Sequence, residues 1–162
     1  MSESAKGPLL AVRIRGTASD APDVRKTMES LMLLKTFQAR LLENSSSNVG
    51  MLRTVKALVA WGEVSPEILA NVLAKRGEKD GADGLDDGFA RLLGKASFDE
   101  LAKAVVAGEL GIKSLYQAGL KPRFRLHPPR GGFKRSLRRA ATDGGELGYR
   151  GADINLLVRR MI

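Results

Sequence analysis

Eight cations stand close together without a single acid in residues 121–139: Lys121, Arg123, Arg125, Arg130, Lys134, Arg135, Arg138 and Arg139. The chemistry open to such a set is recognition of a polyanion. Each guanidinium offers a planar fork that grips phosphate in two places and stacks on exposed bases. The chain of 162 residues carries 27 Lys and Arg against 18 Asp and Glu, a net charge of +9. Eight of those nine net charges therefore lie in this one window, and the remainder of the chain is nearly balanced. A solvated surface of mixed sign does not concentrate charge in this way.

Within the window, Arg123 and Arg125 alternate with Phe124 and Leu126, so an extended segment could anchor on a core and present two guanidiniums outward. His127-Pro128-Pro129 must stay extended, because each proline disfavours helix in the residue before it. Arg130 follows, and Gly131-Gly132 supplies backbone that can approach a phosphate closely. Phe133 and Leu137 lie four residues apart among Lys134, Arg135, Arg138 and Arg139; a helix here would be cationic, with a small apolar footing. A rigid proline pair beside two glycines makes a shaped surface, which suits folded RNA better than a uniform duplex. Anionic lipid is a poorer match, since membrane-surface helices carry a strong apolar face and this one is thin.

Other chemistry finds little to work with. His127, the single histidine, is fitted to stacking or to a backbone hydrogen bond rather than to general-base work. Asp86-Asp87 sit in a polar loop without the preorganised oxygens that magnesium demands. Residues 144–151 are glycine-rich but match neither phosphate-loop nor dinucleotide pattern, and read as a turn into the last helix. Cysteine is absent, which removes disulfides, thiolate zinc sites and cysteine nucleophiles and fits a cytoplasmic protein. Trp61 in a strand reads first as core, although Trp61 and Tyr149 could stack on bases. The expectation is a protein without catalytic residues, cofactor, metal or small-molecule substrate.

The elements that must position these residues can be read from periodicity. Residues 1–8 read as a flexible N-terminus with no apolar signal core. Leu10, Val12 and Ile14 alternate with Ala11, Arg13 and Arg15, the pattern of a half-buried strand. Asp20, Pro22 and Asp23 supply cap, first-turn proline and first-turn acid for a helix carrying Val24, Met28 and Leu31 to about Leu34. Residues 37–41 form a second strand, the loop at 44–48 starts a short helix carrying Leu52 and Val55, and residues 57–63 form a third strand. Residues 9–64 thus predict a β-α-β-α-β core, and residues 65–162 an extension of helices and basic loop, within a single domain.

In the extension, Ser65-Pro66-Glu67 begins a helix whose buried stripe is Ile68, Leu69, Val72 and Leu73. Residues 77–88 hold four glycines and five acids and read as an exposed loop too polar to pack. Ser97-Phe98-Asp99-Glu100 is a capping-box sequence for a helix towards Gly108, and a shorter helix spans Lys113 to Gly119. The last helix, Asp153 to Met161, carries Ile154, Leu157, Val158 and Met161 on one stripe, with Arg159 and Arg160 in its final turn. No stretch has the roughly 18 uninterrupted apolar residues of a membrane span.

The string Phe124-Arg125-Leu126-His127-Pro128-Pro129-Arg130-Gly131-Gly132 closely resembles a signature of the archaeal and eukaryotic forms of the large-subunit ribosomal protein thirty family. Asn48-Val49-Gly50-Met51-Leu52-Arg53-Thr54-Val55-Lys56 is similar to that family's arginine-glycine-methionine, basic, valine, basic helix. Val49 stands where the family commonly has arginine, which removes one RNA contact. Trp61-Gly62-Glu63 and Ser65-Pro66-Glu67 sit where the longer members turn into their extra helices, so the similarity runs over roughly residues 9 to 162. The resemblance implies an α/β (α+β) fold: three antiparallel strands with two helices on one face, somewhat ferredoxin-like, and a C-terminal extension. It further implies binding to large-subunit ribosomal RNA near the small 5S RNA, beside neighbouring ribosomal proteins. By position, Gly50, Arg53 and Lys56 would face RNA from the second helix, and residues 123–132 would supply the extension's contacts, with Phe133 and the cations after it. Arg13 and Arg15, at the end of the first strand, are weaker candidates, because a solvated strand face explains them equally well. The acidic loop at 77–88 should face away from RNA.

These observations converge on a structural constituent of the large ribosomal subunit. A free-standing RNA- or DNA-binding protein or RNA chaperone is the alternative; it would bind DNA comparably and would not travel with ribosomes. A small enzyme acting on a phosphorylated substrate would need a general base and a water-excluding pocket, neither of which can be located.

Overall fold

Three serines set helix starts by side-chain capping. Ser45, Ser65 and Ser97 accept hydrogen bonds from the amides of Asn48, Ile68 and Glu100 at 3.2, 3.3 and 3.4 Å, so each satisfies a donor that the first helical turn cannot. Glu100 closes the capping arrangement one residue early, accepting from the Ala96 amide at 3.1 Å. In a computed structural model describing residues 7–16, 21–81 and 84–162, the chain begins β1 (Leu9–Arg13), α1 (Pro22–Ser30), β2 (Gln38–Leu42), α2 (Ser46–Thr54) and β3 (Val59–Glu63). It continues α3 (Pro66–Arg76), α4 (Asp87–Leu92), α5 (Phe98–Ala107), α6 (Ile112–Gln117), β4 (Phe124–Arg125), β5 (Ser136–Ala140), β6 (Gly145–Tyr149) and α7 (Ile154–Met161). The N-cap position of α1 falls on Ala21; Asp20, and all but the last two residues of the expected flexible N-terminus, lie outside the described residues. That helix stops at Ser30 rather than near Leu34, because Met32 takes a left-handed φ of 56° and the turn tucks Leu31 and Leu33 into the core.

The α/β class holds, but the sheet has six strands in the order β4-β2-β1-β3-β6-β5, not three. β1 pairs antiparallel with β2 and β3, and β2 with β4; β6 lies parallel to β3, and β5 parallel to β6. Two predictions change accordingly. The cationic stretch after Phe133 is strand β5, not a helix, and Phe133 stacks on Phe37 with centroids 6.2 Å apart instead of serving as a helical footing. The glycine-rich segment before the last helix is strand β6, not merely a turn. Its glycines serve close approach: a Cβ at Gly145 would lie 1.8 Å from the Arg139 carbonyl oxygen, and one at Gly62 of β3 would lie 2.0 Å from that of Gly151.

The first strand is buried on both sides rather than half-buried. Leu10, Val12 and Ile14 join the core formed with α3, α5 and α7, while Leu9 and Ala11 join the one formed with α1 and α2. The two early helices share one face, as expected, and the extension covers the other, so neither face of β1 meets water. Arg13 is accordingly buried; its Nη1 donates to the Leu33 carbonyl oxygen at 2.7 Å and its Nε to that of Arg15 at 3.0 Å. Its guanidinium is committed to the fold.

The acidic segment is likewise tied down. Gly77 is buried, Leu85 packs on the core, and Lys79 bridges Leu120. Glu78 pairs with Lys121 at 3.4 Å and with Arg125 at 3.6 Å. One residue that the sequence does not single out joins β3 to the last helix. Asn155 Oδ1 accepts from the Ser65 amide at 2.8 Å, and its Nδ2 donates to the Glu63 and Ala152 carbonyl oxygens at 3.0 and 2.9 Å. Among the described residues no helix is long and apolar enough to cross a membrane.

Candidate nucleic-acid interface

The two basic stretches that lie far apart in sequence meet across the sheet. α2 carries Arg53 in its last turn, and the turn after it carries Lys56; both are exposed. β5 brings Arg138 to the same place, and the three cations line a groove of about 470 Å³ walled by Trp61, Leu147, Gly148 and Tyr149. This follows from topology: β6 inserts beside β3, and β5 then adds at the sheet edge nearest the end of α2. Gly50 is exposed one turn before Arg53 on α2, with nothing within 4 Å of the position a Cβ would occupy.

The loop from His127 to Phe133 is held by the last helix. The His127 amide donates to the Met161 carbonyl oxygen at 3.0 Å, and its ring Nε2 lies 2.7 Å from that of Ile162. The ring is therefore engaged with backbone, one of the two roles read from the sequence. Pro129 is buried and Pro128 exposed. Gly131 and Gly132 take φ of 77° and 74°, a conformation that favours glycine. The Arg130 amide donates to the Arg160 carbonyl oxygen at 3.0 Å, and the Arg160 guanidinium donates back to the carbonyl oxygens of Arg130 and Gly132. The Arg130 side chain is left exposed beside an ordered backbone.

Lys134 and Arg135 line a second groove, of about 420 Å³, together with Arg150, Arg159 and Arg160. The last three were not among the expected contacts. Arg159 and Arg160 read as complements of the helix dipole, and their adjacent positions in the final turn were the available signal. Two acids, Glu146 and Asp153, line the same groove; the carboxylate of Glu146, buried in β6, pairs with Arg150 and accepts from the Arg135 amide at 2.9 Å. The pair compensates a carboxylate that would otherwise be costly to bury.

Other expected contacts stand apart. β4 and β5 are the two opposite edges of the sheet, five strand spacings and roughly 24 Å apart. Arg125 therefore lies far from Arg138 and shares its charge with Glu78, and Arg123 beside it is half-buried. Arg15 is exposed past the end of β1 and lines neither groove; Arg139 is exposed on β5. The basic window is thus a strap from one sheet edge to the other and not one patch.

An aromatic residue completes the first groove. Tyr149 is 51% exposed, its hydroxyl donates to both carboxylate oxygens of Glu63, at 2.7 and 2.9 Å, and Trp61 lies beside it. The hydrogen bond to Glu63 is the main cause that pushes its pKa up to about 12, with burial and the Glu63 charge adding to it.

The family model described as ribosomal protein L30p/L7e matches residues 9–59, from β1 into the start of β3. Curated relatives extend the similarity through the C-terminal elements. A large ribosomal subunit protein uL30 from Aeropyrum pernix is 46% identical, covering 96% of this chain and 99% of its own length. Proteins of the same name from Korarchaeum cryptofilum and Thermofilum pendens are 44% and 43% identical, each covering at least 94% of this chain and 96% of itself. At such identity over almost the full length of both partners, this chain belongs to the ribosomal protein L30p/L7e family.

Proposed function

We propose that this chain binds large-subunit ribosomal RNA through two cationic grooves flanking β5 and β6, fixing RNA segments relative to one another by neutralising their phosphates. The family makes it a structural constituent of the large ribosomal subunit, at work on the cytoplasmic ribosome, and not an enzyme. The single observation that carries the RNA-binding reading is the convergence of Arg53 and Lys56 with Arg138 in one groove. Closely set cations with no acid lining the same groove favour phosphate. Arg130, Lys134, Arg135 and Arg139 continue that contact, and Gly131 and Gly132 bring the backbone within reach of the RNA. Arg15, Arg123 and Arg125 make peripheral contacts. Residues 9–64 and the extension at 65–162 act as one domain, lying near the 5S RNA against neighbouring ribosomal proteins.

Sedimentation of a cell extract at salt high enough to strip loosely bound protein tests this reading. One copy of the chain per large subunit is the expected result. Recovery at the top of the gradient, free of ribosomal RNA, would replace it with a free-standing nucleic-acid-binding role. Crosslinking in the intact subunit tests proximity to the 5S RNA.

A further inference from the structure

Among the described residues, Tyr149 is the one aromatic side chain more than half exposed, at 51%. Its ring is not left free to move. The paired hydrogen bonds to Glu63 fix its outer end, and Trp61 flanks it with ring centroids 6.4 Å apart and planes at 49°. Because its pKa is pushed up to about 12, the hydroxyl remains a donor committed to Glu63 throughout the neutral range. What the residue offers to a ligand is its ring.

The charges around that ring are asymmetric. Arg53, Lys56 and Arg138 line the groove on one side of it with no acid, while the groove on the other side pairs the Glu63 carboxylate with Arg53 as its one cation. Phosphate is drawn to the first side, where three cations stand without an acid, more than to the second, where Glu63 offsets Arg53. A planar, uncharged group fits over the ring, with its anionic tether on the cationic side. Bases in a duplex have their faces covered by neighbours, so only an unpaired base can present one. A ring already held in place also loses little side-chain entropy when it is covered.

We propose that Tyr149 is a stacking platform for one unpaired RNA nucleotide, whose flanking phosphates are held by Arg53, Lys56 and Arg138; this rests on the RNA-binding reading above. The test uses the full chain and a short single-stranded RNA carrying 2-aminopurine, with the same strand in a duplex as control. Binding of the single strand should quench 2-aminopurine and perturb the emission of Trp61, the chain's one tryptophan. Tyr149→Leu should weaken that binding about tenfold and abolish the quenching, while Tyr149→Phe stays within about twofold. The salt slope of affinity should be unchanged in Tyr149→Leu, but shallower by about 1 in Arg138→Ala.

Unquenched 2-aminopurine with the bound wild-type chain would overturn the proposal whether or not any variant folds. So would equal losses on single strand and duplex in Tyr149→Leu. If the chain binds large-subunit RNA but Tyr149→Leu has no effect on the single strand, only the stacking platform falls. If the wild-type chain binds no RNA, the broader reading falls with it.

Discussion

The guanidinium of Arg160 donates twice to the carbonyl oxygen of Arg130, from Nη2 at 2.8 Å and from Nε at 3.1 Å. A residue in the last turn of the last helix thereby shapes the loop that follows the proline pair. With the reciprocal bond from the Arg130 amide and a further one to Gly132, it sets where the Arg130 side chain is presented. Arg160→Ala should cost about 1 kcal/mol of stability, the modest value of partly solvated hydrogen bonds. Its sharper effect should be local. Amide hydrogen exchange at residues 130–132 should rise well above that of the sheet, and protection equal to wild type would show that the loop holds itself.

The cations that face solvent should act through phosphate. If four to six of them meet RNA phosphates, log affinity should fall with log salt at a slope of roughly −3 to −5. Arg130→Ala and Arg135→Ala should each flatten that slope by about 1. Arg125→Ala should do less, because Arg125 already shares its charge with Glu78. Filter binding across a salt series reads all three, and unchanged slopes for Arg130→Ala and Arg135→Ala would remove those residues from the contact.

Gly62 permits β3 to lie directly against the backbone before the last helix. An alanine methyl there would meet the Gly151 carbonyl oxygen at 2.0 Å, with the carbonyl carbon and Ile154 close behind. Main chain cannot swing aside as a side chain can, so Gly62→Ala should cost about 3 kcal/mol. A thermal melt followed by circular dichroism measures it; a midpoint within a degree or two of wild type would mean that the last helix repacks freely.

The link between Glu63 and Tyr149 has a pH signature. The pKa of Tyr149 is raised in the folded chain, from 10.0 to about 12. A raised value means that the interaction stabilises fully below pH 10 and loses its contribution as pH climbs from there through about 12. Ultraviolet titration of the phenolate should show this tyrosine ionising late, and Glu63→Gln should bring its pKa back towards 10. Tyr149→Phe should remove that part of the alkaline fall in stability, and an unaltered alkaline limb would discount the pair.

Much of the architecture is legible in the residues. Serine caps and the Ile68, Leu69, Val72 and Leu73 stripe mark α3, and Ile154, Leu157, Val158 and Met161 mark α7, because amphipathic helices write their period into the sequence. The alternation of Arg123 to Leu126 reads correctly as extended, and β4 forms there. Strands β5 and β6 escape this reading. β6 has two glycines and a buried glutamate among five residues, with no apolar alternation to detect. β5 is an edge strand with no buried residue, so water leaves no mark on its pattern. The glycines of β6 make sense only once the crowded backbones beside them are known.

By itself the sequence determined the polyanion chemistry, the β-α-β-α-β order of its first part, and the kinship carried by the string Phe124 to Gly132. Charge, period and short motifs are properties of neighbouring residues, and neighbours in sequence suffice to read them. Only the tertiary structure decided that Arg53, Lys56, Arg138 and Tyr149 share a groove, that Arg125 belongs to the opposite edge, and that Arg13 serves the core. Those outcomes depend on where β6 and β5 add to the sheet. Strand order is set by long-range pairing and by close backbone approach, and no local stretch of residues encodes it.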